Sequence, residues 1–197
     1  MPTFEQFWSQ LQQSGAALPY VMIDCAGVEG GAERLPRAAF SEFECLFTGD
    51  LADELEDVAP YLGQALSWGE EVQAVIEDLM KRQVATLVTL RPPPDGAEPL
   101  SFAQVHRHLR KFNVVYAPDG KPLFWRYYDP RVIVDVLKVL DDRQLEAFFG
   151  PMEHLCVAAV TRARPTEHQP SPARRSRAHG LEQLAEPARP DSGRAAT

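Results

Sequence analysis

Residues 70–90 read EEVQAVIEDLMKRQVATLVTL, and the hydrophobic period changes partway along. Val72, Val75, Ile76 and Leu79 recur three or four apart, which places them on one stripe of a helix running from Glu70 to Arg82. From Ala85 to Leu90 the pattern becomes a short run of apolar and β-branched residues, the composition of a buried strand. A second short strand is expected just upstream, at Ala59-Pro60-Tyr61-Leu62. Strand, helix, strand is a β-α-β rhythm, so the predicted fold is α/β: a single domain whose mixed sheet contains a β-hairpin and is flanked by helices.

Further elements extend from this centre in both directions. Phe4, Phe7, Trp8 and Leu11 predict a first helix that Gly15 ends, and Tyr20 to Cys25 predicts a buried strand after Pro19. Leu35 to Phe47 reads as a helix with Pro36 in its first turn, and the acidic segment Asp50 to Asp57 as a short one. Beyond the Pro92-Pro93-Pro94-Asp95-Gly96 loop, Ser101 caps a helix that runs through Arg110. A hairpin then pairs Val114 to Tyr116 with Leu123 to Tyr127 across Pro118-Asp119-Gly120. Asp129 and Pro130 open a new helix as N-cap and first residue. Leu137, Leu140, Leu145 and Phe148 carry an apolar face through two short helices, and a strand near Leu155 to Val160 closes the domain.

Charge divides the 197 residues unevenly. Residues 1–160 hold 24 acidic and 13 basic side chains, net −11, whereas residues 161–197 hold 4 acidic residues and 7 Arg, net +3. From Thr161 onward Pro165, Pro170, Pro172, Pro187 and Pro190 recur and aromatic residues are absent. Such a segment cannot offset an ordering cost of ~1–2 kcal/mol per residue, so a disordered Arg/Pro-rich tail is expected over 161–197. A short helix over His179 to Ala185 would need a partner's apolar surface. Met1 to Ser14 carries Glu5, Gln6, Gln10, Gln12 and Gln13 and lacks the pattern of a signal peptide. Apolar runs such as Val84 to Leu90 are too short to span a membrane. Cys25, Cys45 and Cys156 are odd in number and far apart, which suits a reducing cytoplasm and predicts neither a disulfide framework nor a zinc site.

Candidate chemistry is sparse. Gly27-Val28-Glu29-Gly30-Gly31 follows a strand, but it lacks the G-x-G-x-x-G spacing and Glu29 would face a phosphate, so a flexible connector is expected. His106 and His108 lie two apart on a predicted helix and point to different faces, so they do not share a metal. The run Asp50, Asp53, Glu54, Glu56, Asp57 could hold a cation or a basic peptide, and a solvated face is the commoner explanation of such a run. No nucleophile elbow, P-loop or H-E-x-x-H motif occurs, so neither catalysis nor a cofactor is predicted. A domain of net charge −11 repels nucleic acid, and its acidic surplus predicts a basic cargo segment. One stretch stands out: Leu123-Phe124-Trp125-Arg126-Tyr127-Tyr128-Asp129-Pro130-Arg131-Val132. Strand alternation would put Phe124, Arg126 and Tyr128 on one face and Trp125 and Tyr127 on the other. An Arg among aromatics either pairs internally or anchors a partner, since Arg, Trp and Tyr dominate interface hot spots.

The run Trp125 to Val132 also resembles the signature of the type VI secretion effector chaperones, the domain-of-unknown-function 4123 family. Four further stretches resemble that family's landmarks in the right order: Tyr20 to Ala26, Ala59 to Leu62, His108-Leu109-Arg110, and Phe148 to Pro151. The resemblance spans roughly Pro19 to Val160, leaving the tail outside, and Cys25 replaces a small residue. It implies a non-catalytic cytoplasmic adaptor that holds a toxic effector and helps load it onto the VgrG spike or a PAAR tip, as a hetero-complex. Within it, Trp125, Arg126, Tyr127, Tyr128, Asp129, Arg131, Arg110 and Asp24 are the residues expected to organise the domain or bind the partner. Asp129→Ala is expected to cost ~1 kcal/mol through the lost cap, and Arg126→Ala to disturb folding or cargo binding. Two other classes are a small enzyme built on Asp24, Arg126 or the two histidines, and an immunity protein that neutralises a toxin.

Overall fold

The computed structural model describes residues 3–94, 97–117, 119–158 and, as backbone, 180–184. The first helix, α1 (Phe4–Gln13), starts at a Thr3 capping box with Gln6. It ends as the sequence predicts, with Gly15 N–H on Gln12 O and Ala16 N–H on Leu11 O, the paired bonds of a Schellman motif. The strands of the main sheet are β1 (Tyr20–Asp24), β2 (Phe40–Cys45), β3 (Pro60–Ala65) and β4 (Ala85–Leu90), with β7 (Met152–Ala158) and β8 (Gly180–Leu184) from the C-terminal part. Between β4 and β7 the chain forms a separate hairpin of β5 (Val114–Tyr116) and β6 (Pro122–Phe124). The remaining helices are α2 (Asp50–Glu54), α3 (Glu70–Lys81), α4 (Phe102–Arg110), α5 (Pro130–Leu137) and α6 (Asp142–Phe149).

The main sheet runs β2-β3-β1-β4-β7-β8. All neighbours are antiparallel except β7 and β8, which are parallel, so the sheet is mixed. Because β3 and β4 both run antiparallel to the strand between them, they are parallel to each other. The β-α-β rhythm of the sequence is therefore a crossover through α3 that is split by β1.

Alternation along β1 then decides the two cores. Val21 and Ile23 meet Phe7, Trp8, Ile76 and Leu79 of α1 and α3 on one face. Tyr20 and Met22 meet Phe102, Leu109, Ile133 and Phe148 on the other, which α4, α5 and α6 cover. With both faces covered, β1 is buried throughout and reads as one apolar run.

Four expectations are corrected. The segment expected as a helix from Leu35 to Phe47 is a single turn at Arg37–Ala39 followed by edge strand β2. A register shift between Phe40 and Glu42 inserts an extra residue against β3. Phe40 and Phe43, three apart, thereby pack on the same core and imitate helical spacing. Strand β6 stops at Phe124 instead of Tyr127, and the hairpin forms its own two-stranded ribbon outside the main sheet. Gly180–Leu184, inside the segment expected to be a disordered tail or, with a partner, a short helix, is a strand paired with the edge of β7. A backbone ladder satisfies that segment without the apolar face a helix would need. The rest of the expected tail, 161–179 and 185–197, lies outside the described residues, as do 95–96, 118 and 159–160.

The glycine cluster after β1 is a fifth correction: expected as a flexible connector, it lies in close contact with Asp57. Gly31 is buried at φ +66, a Cβ there would sit 2.5 Å from the Asp57 carbonyl oxygen, and Ala32 N–H donates to that oxygen at 2.8 Å. Close approach to Asp57 is thus the use of this cluster.

Candidate functional site

The stretch Leu123 to Val132 is a corner. As β6 ends, Trp125 N–H donates to Asn113 O at 3.0 Å, and the chain turns between Arg126 and Asp129, whose N–H donates to Arg126 O at 3.1 Å. A turn replaces the expected strand alternation, so Tyr127 and Tyr128 both point inward while Arg126 stays outside. Trp125, Tyr127, Phe112 and Phe148 form a cluster in which Trp125 and Phe148 have ring centroids 4.8 Å apart. The Tyr127 hydroxyl and Trp125 Nε1 are buried there with no hydrogen-bond partner among the described residues. Burial pushes the Tyr127 phenol far above its ordinary range.

Directly after the corner, Asp129 caps α5 by accepting Arg131 N–H at 2.9 Å, and Pro130 occupies the first helical position. The same carboxylate takes Arg131 Nε at 2.8 Å and Nη2 at 3.0 Å, a fork-to-fork pair. Alternation on β1 puts Asp24 on the face of Tyr20 and Met22, at the strand end under this corner. Its Oδ2 accepts from Arg126 Nη2 at 2.8 Å and Arg131 Nη2 at 3.1 Å, and Arg126 also reaches Asp129 Oδ2 at 3.3 Å. Two buried carboxylates and two half-exposed guanidiniums thus form one network with no net charge, in which Asp24 Oδ1 has no hydrogen-bond partner among the described residues.

Electrostatics separates the two acids. Burial raises Asp24 above the usual aspartate range, and the repulsion of Asp129 adds to it, although Arg126 and Arg131 pull the other way. Burial would raise Asp129 too, but the hydrogen bonds from Arg131 and the two guanidinium charges outweigh it and hold the carboxyl low. Arg131 is raised in turn, mainly by its hydrogen bond to Asp129. In a buried ion network of this kind the desolvation cost offsets much of the Coulomb attraction, so it adds little net stability. Here it ties the end of β1 to the start of α5 and so sets the root of the hairpin.

Above that root the hairpin holds apolar side chains in solvent: Tyr116 is 74% exposed, Leu123 51% and Phe124 68%. Beside it lies a groove of about 560 Å³ between α4, the hairpin and the segment leading into α2. Arg107, Arg110 and Lys111 form one side, and Phe47, Leu51 and Phe124 supply apolar surface. Of the residues singled out in the sequence, Asp24, Arg126, Asp129 and Arg131 come together, Trp125, Tyr127 and Tyr128 pack beneath them, and Arg110 stands apart in the groove. Arg107 and Lys111 are not among them, although with Arg110 they form one stripe at the C-terminal end of α4 and its cap.

The histidines serve packing. His106 Nε2 lies 2.7 Å from Cys45 O, while His108 Nε2 lies 2.8 Å from Phe148 O, so they face different elements. Burial raises the Cys25 thiol to about 12, which keeps it protonated. Among the described residues no group of three or more His, Cys, Asp or Glu side chains is placed to hold a metal ion, and no helix is long and apolar enough to cross a membrane.

A mixed sheet covered on both faces, with a projecting hairpin rooted in an Asp-Arg network, is the class of domain that this chain presents. It belongs to the family described as a domain of unknown function (DUF4123), whose model matches residues 19–147. No curated protein and no solved structure gives a significant match. The matched span takes in both ends of the ion network, from β1 through the corner and α5.

Proposed function

We propose that this protein is a non-catalytic adaptor that binds a toxic effector in the cytoplasm of the producing cell and helps load it onto the VgrG spike or PAAR tip of a type VI secretion system. Membership of the DUF4123 family supports this reading, together with the likeness of Trp125 to Val132 to the signature of effector chaperones. The observation that carries it is the hairpin, with Tyr116, Leu123 and Phe124 held out in solvent above a base tied by the Asp24, Arg126, Asp129 and Arg131 contacts. Fully burying a large apolar side chain contributes about 1.5–3 kcal/mol. A few such contacts suffice to hold cargo and still leave it releasable at the spike. The Asp24, Arg126, Asp129 and Arg131 network serves this function by fixing the hairpin's angle to the sheet.

Co-expression with the proteins encoded beside it, followed by affinity pull-down and mass spectrometry, tests this proposal. The native chain is expected to recover a large toxin or a spike-tip protein. Leu123→Ser with Phe124→Ser should abolish recovery while lowering the melting temperature only slightly, because both side chains are more than half exposed. Recovery of the native chain alone, folded and monomeric, would overturn the adaptor function.

A further inference from the structure

The groove beside the hairpin carries a charge opposite to that of the domain around it. Arg107 and Arg110 of α4 and its C-cap residue Lys111 lie at i, i+3 and i+4, opposite the buried face of Phe102, Val105, His106 and Leu109. Lys81, Arg82, Lys121, Arg126, Arg131 and Lys138 each have a carboxylate within 4.0 Å, and the other cations outside the groove, Arg34, Arg37, Arg91 and Arg143, are scattered along the chain instead of sharing one surface. Among the described residues none of the three groove cations forms an ion pair, and no carboxylate lines the groove. The C-terminal end of α4 favours cations through the helix dipole, but the dipole does not account for Phe47, Leu51 and Phe124 gathered with them.

We propose that this groove binds an acidic, apolar segment of the partner protein, with carboxylates on Arg107, Arg110 and Lys111 and an apolar side chain against Phe47, Leu51 and Phe124. The proposal rests on the adaptor reading only in taking the occupant to be protein. A basic cargo segment, which the acidic surplus of the domain predicts, is repelled at this site. Asp50, Asp53 and Glu54 flank Leu51 on α2 but do not line the groove, so the cations that do line it lie nearest the occupant, while charges beyond the Debye length of ~8 Å at physiological salt are largely screened. The chain's own residues 161–197 carry a net +3 and are disfavoured as occupants for the same reason. A volume of about 560 Å³ accommodates several side chains.

Selecting random short peptides displayed on phage against the full-length protein tests the groove. The native protein is expected to enrich peptides in which Asp and Glu surround Leu, Phe or Trp. A synthetic enriched peptide should lose about tenfold in affinity between low and physiological salt. It should lose at least as much on Arg107→Glu with Lys111→Glu. These two positions are exposed, and Arg107→Gln with Lys111→Gln provides a milder variant whose melting curve should overlay that of the native chain. Enrichment of basic or uncharged peptides, equal enrichment by the charge-reversed variant, or no enrichment would overturn the proposal. If the charge-reversed variant still recovers the co-expressed partner, the groove assignment fails and the adaptor function stands. If the native chain recovers no partner but selects acidic peptides through the groove cations, the reverse holds.

Discussion

Replacing Asp129 separates its two tasks. As helix cap it accepts the Arg131 N–H at 2.9 Å, a contact worth ~1 kcal/mol. As ion partner it takes Arg131 Nε at 2.8 Å and Nη2 at 3.0 Å. Hydrogen bonds to charged groups contribute ~1.5–3 kcal/mol each when buried. The Arg131 side chain is 43% exposed, so solvent screening reduces the pair to about 2 kcal/mol together. Asn caps a helix as well as Asp does, so Asp129→Asn should cost only the ionic part, about 2 kcal/mol. Asp129→Ala loses both and should cost about 3 kcal/mol, more than the cap alone predicts. Urea unfolding near neutral pH, followed by tryptophan fluorescence and circular dichroism with an unchanged m-value, measures both. The sign of the pH dependence is fixed as well. Because the folded protein holds Asp129 below its ordinary 3.8, its stabilisation is complete above that value and is lost as pH falls through the folded pKa. The gap between native and Asp129→Asn should therefore close in acid. Equal losses for Asn and Ala, or both within ~0.5 kcal/mol of native, would refute this division of labour.

Asp24→Asn should behave differently. Its folded pKa is raised above the ordinary 3.8, so between those values the folded state binds more protons than the unfolded and stability falls as pH rises. The Asn variant should flatten that slope and change neutral stability by under ~1 kcal/mol, since relief of the burial cost offsets the lost pairing; a loss of several kcal/mol in urea melts would contradict it. Tyr127→Phe removes a buried hydroxyl that has no partner among the described residues, and should be neutral or stabilising by up to ~1 kcal/mol in thermal melts.

Much of this architecture is legible in the chain because local signals agree with their surroundings. The Val72 to Leu79 stripe, the run Ala85 to Leu90, the Ser101 and Asp129 caps and the Schellman ending at Gly15 involve neighbours in sequence. Strand β2 was hidden because a bulge gives Phe40 and Phe43 a helix-like spacing. The corner at Tyr127 and Tyr128 was hidden because alternation presumes a strand that ends at Phe124. Asp24, Arg126 and Arg131 could be singled out by residue type, but their meeting across 102 and 107 positions is a product of topology. The groove was less visible still: Arg107, Arg110 and Lys111 are a readable stripe, whereas Phe47 and Leu51 come from a distant segment.

The most direct test of the adaptor function is to delete the gene for this chain and measure both delivery into neighbouring cells of the toxin recovered with it and survival of the producer. The expected result is loss of delivery with full producer viability, restored by the native chain and not by Leu123→Ser with Phe124→Ser. Continued delivery would contradict the account, and death of the producer would identify an immunity protein instead.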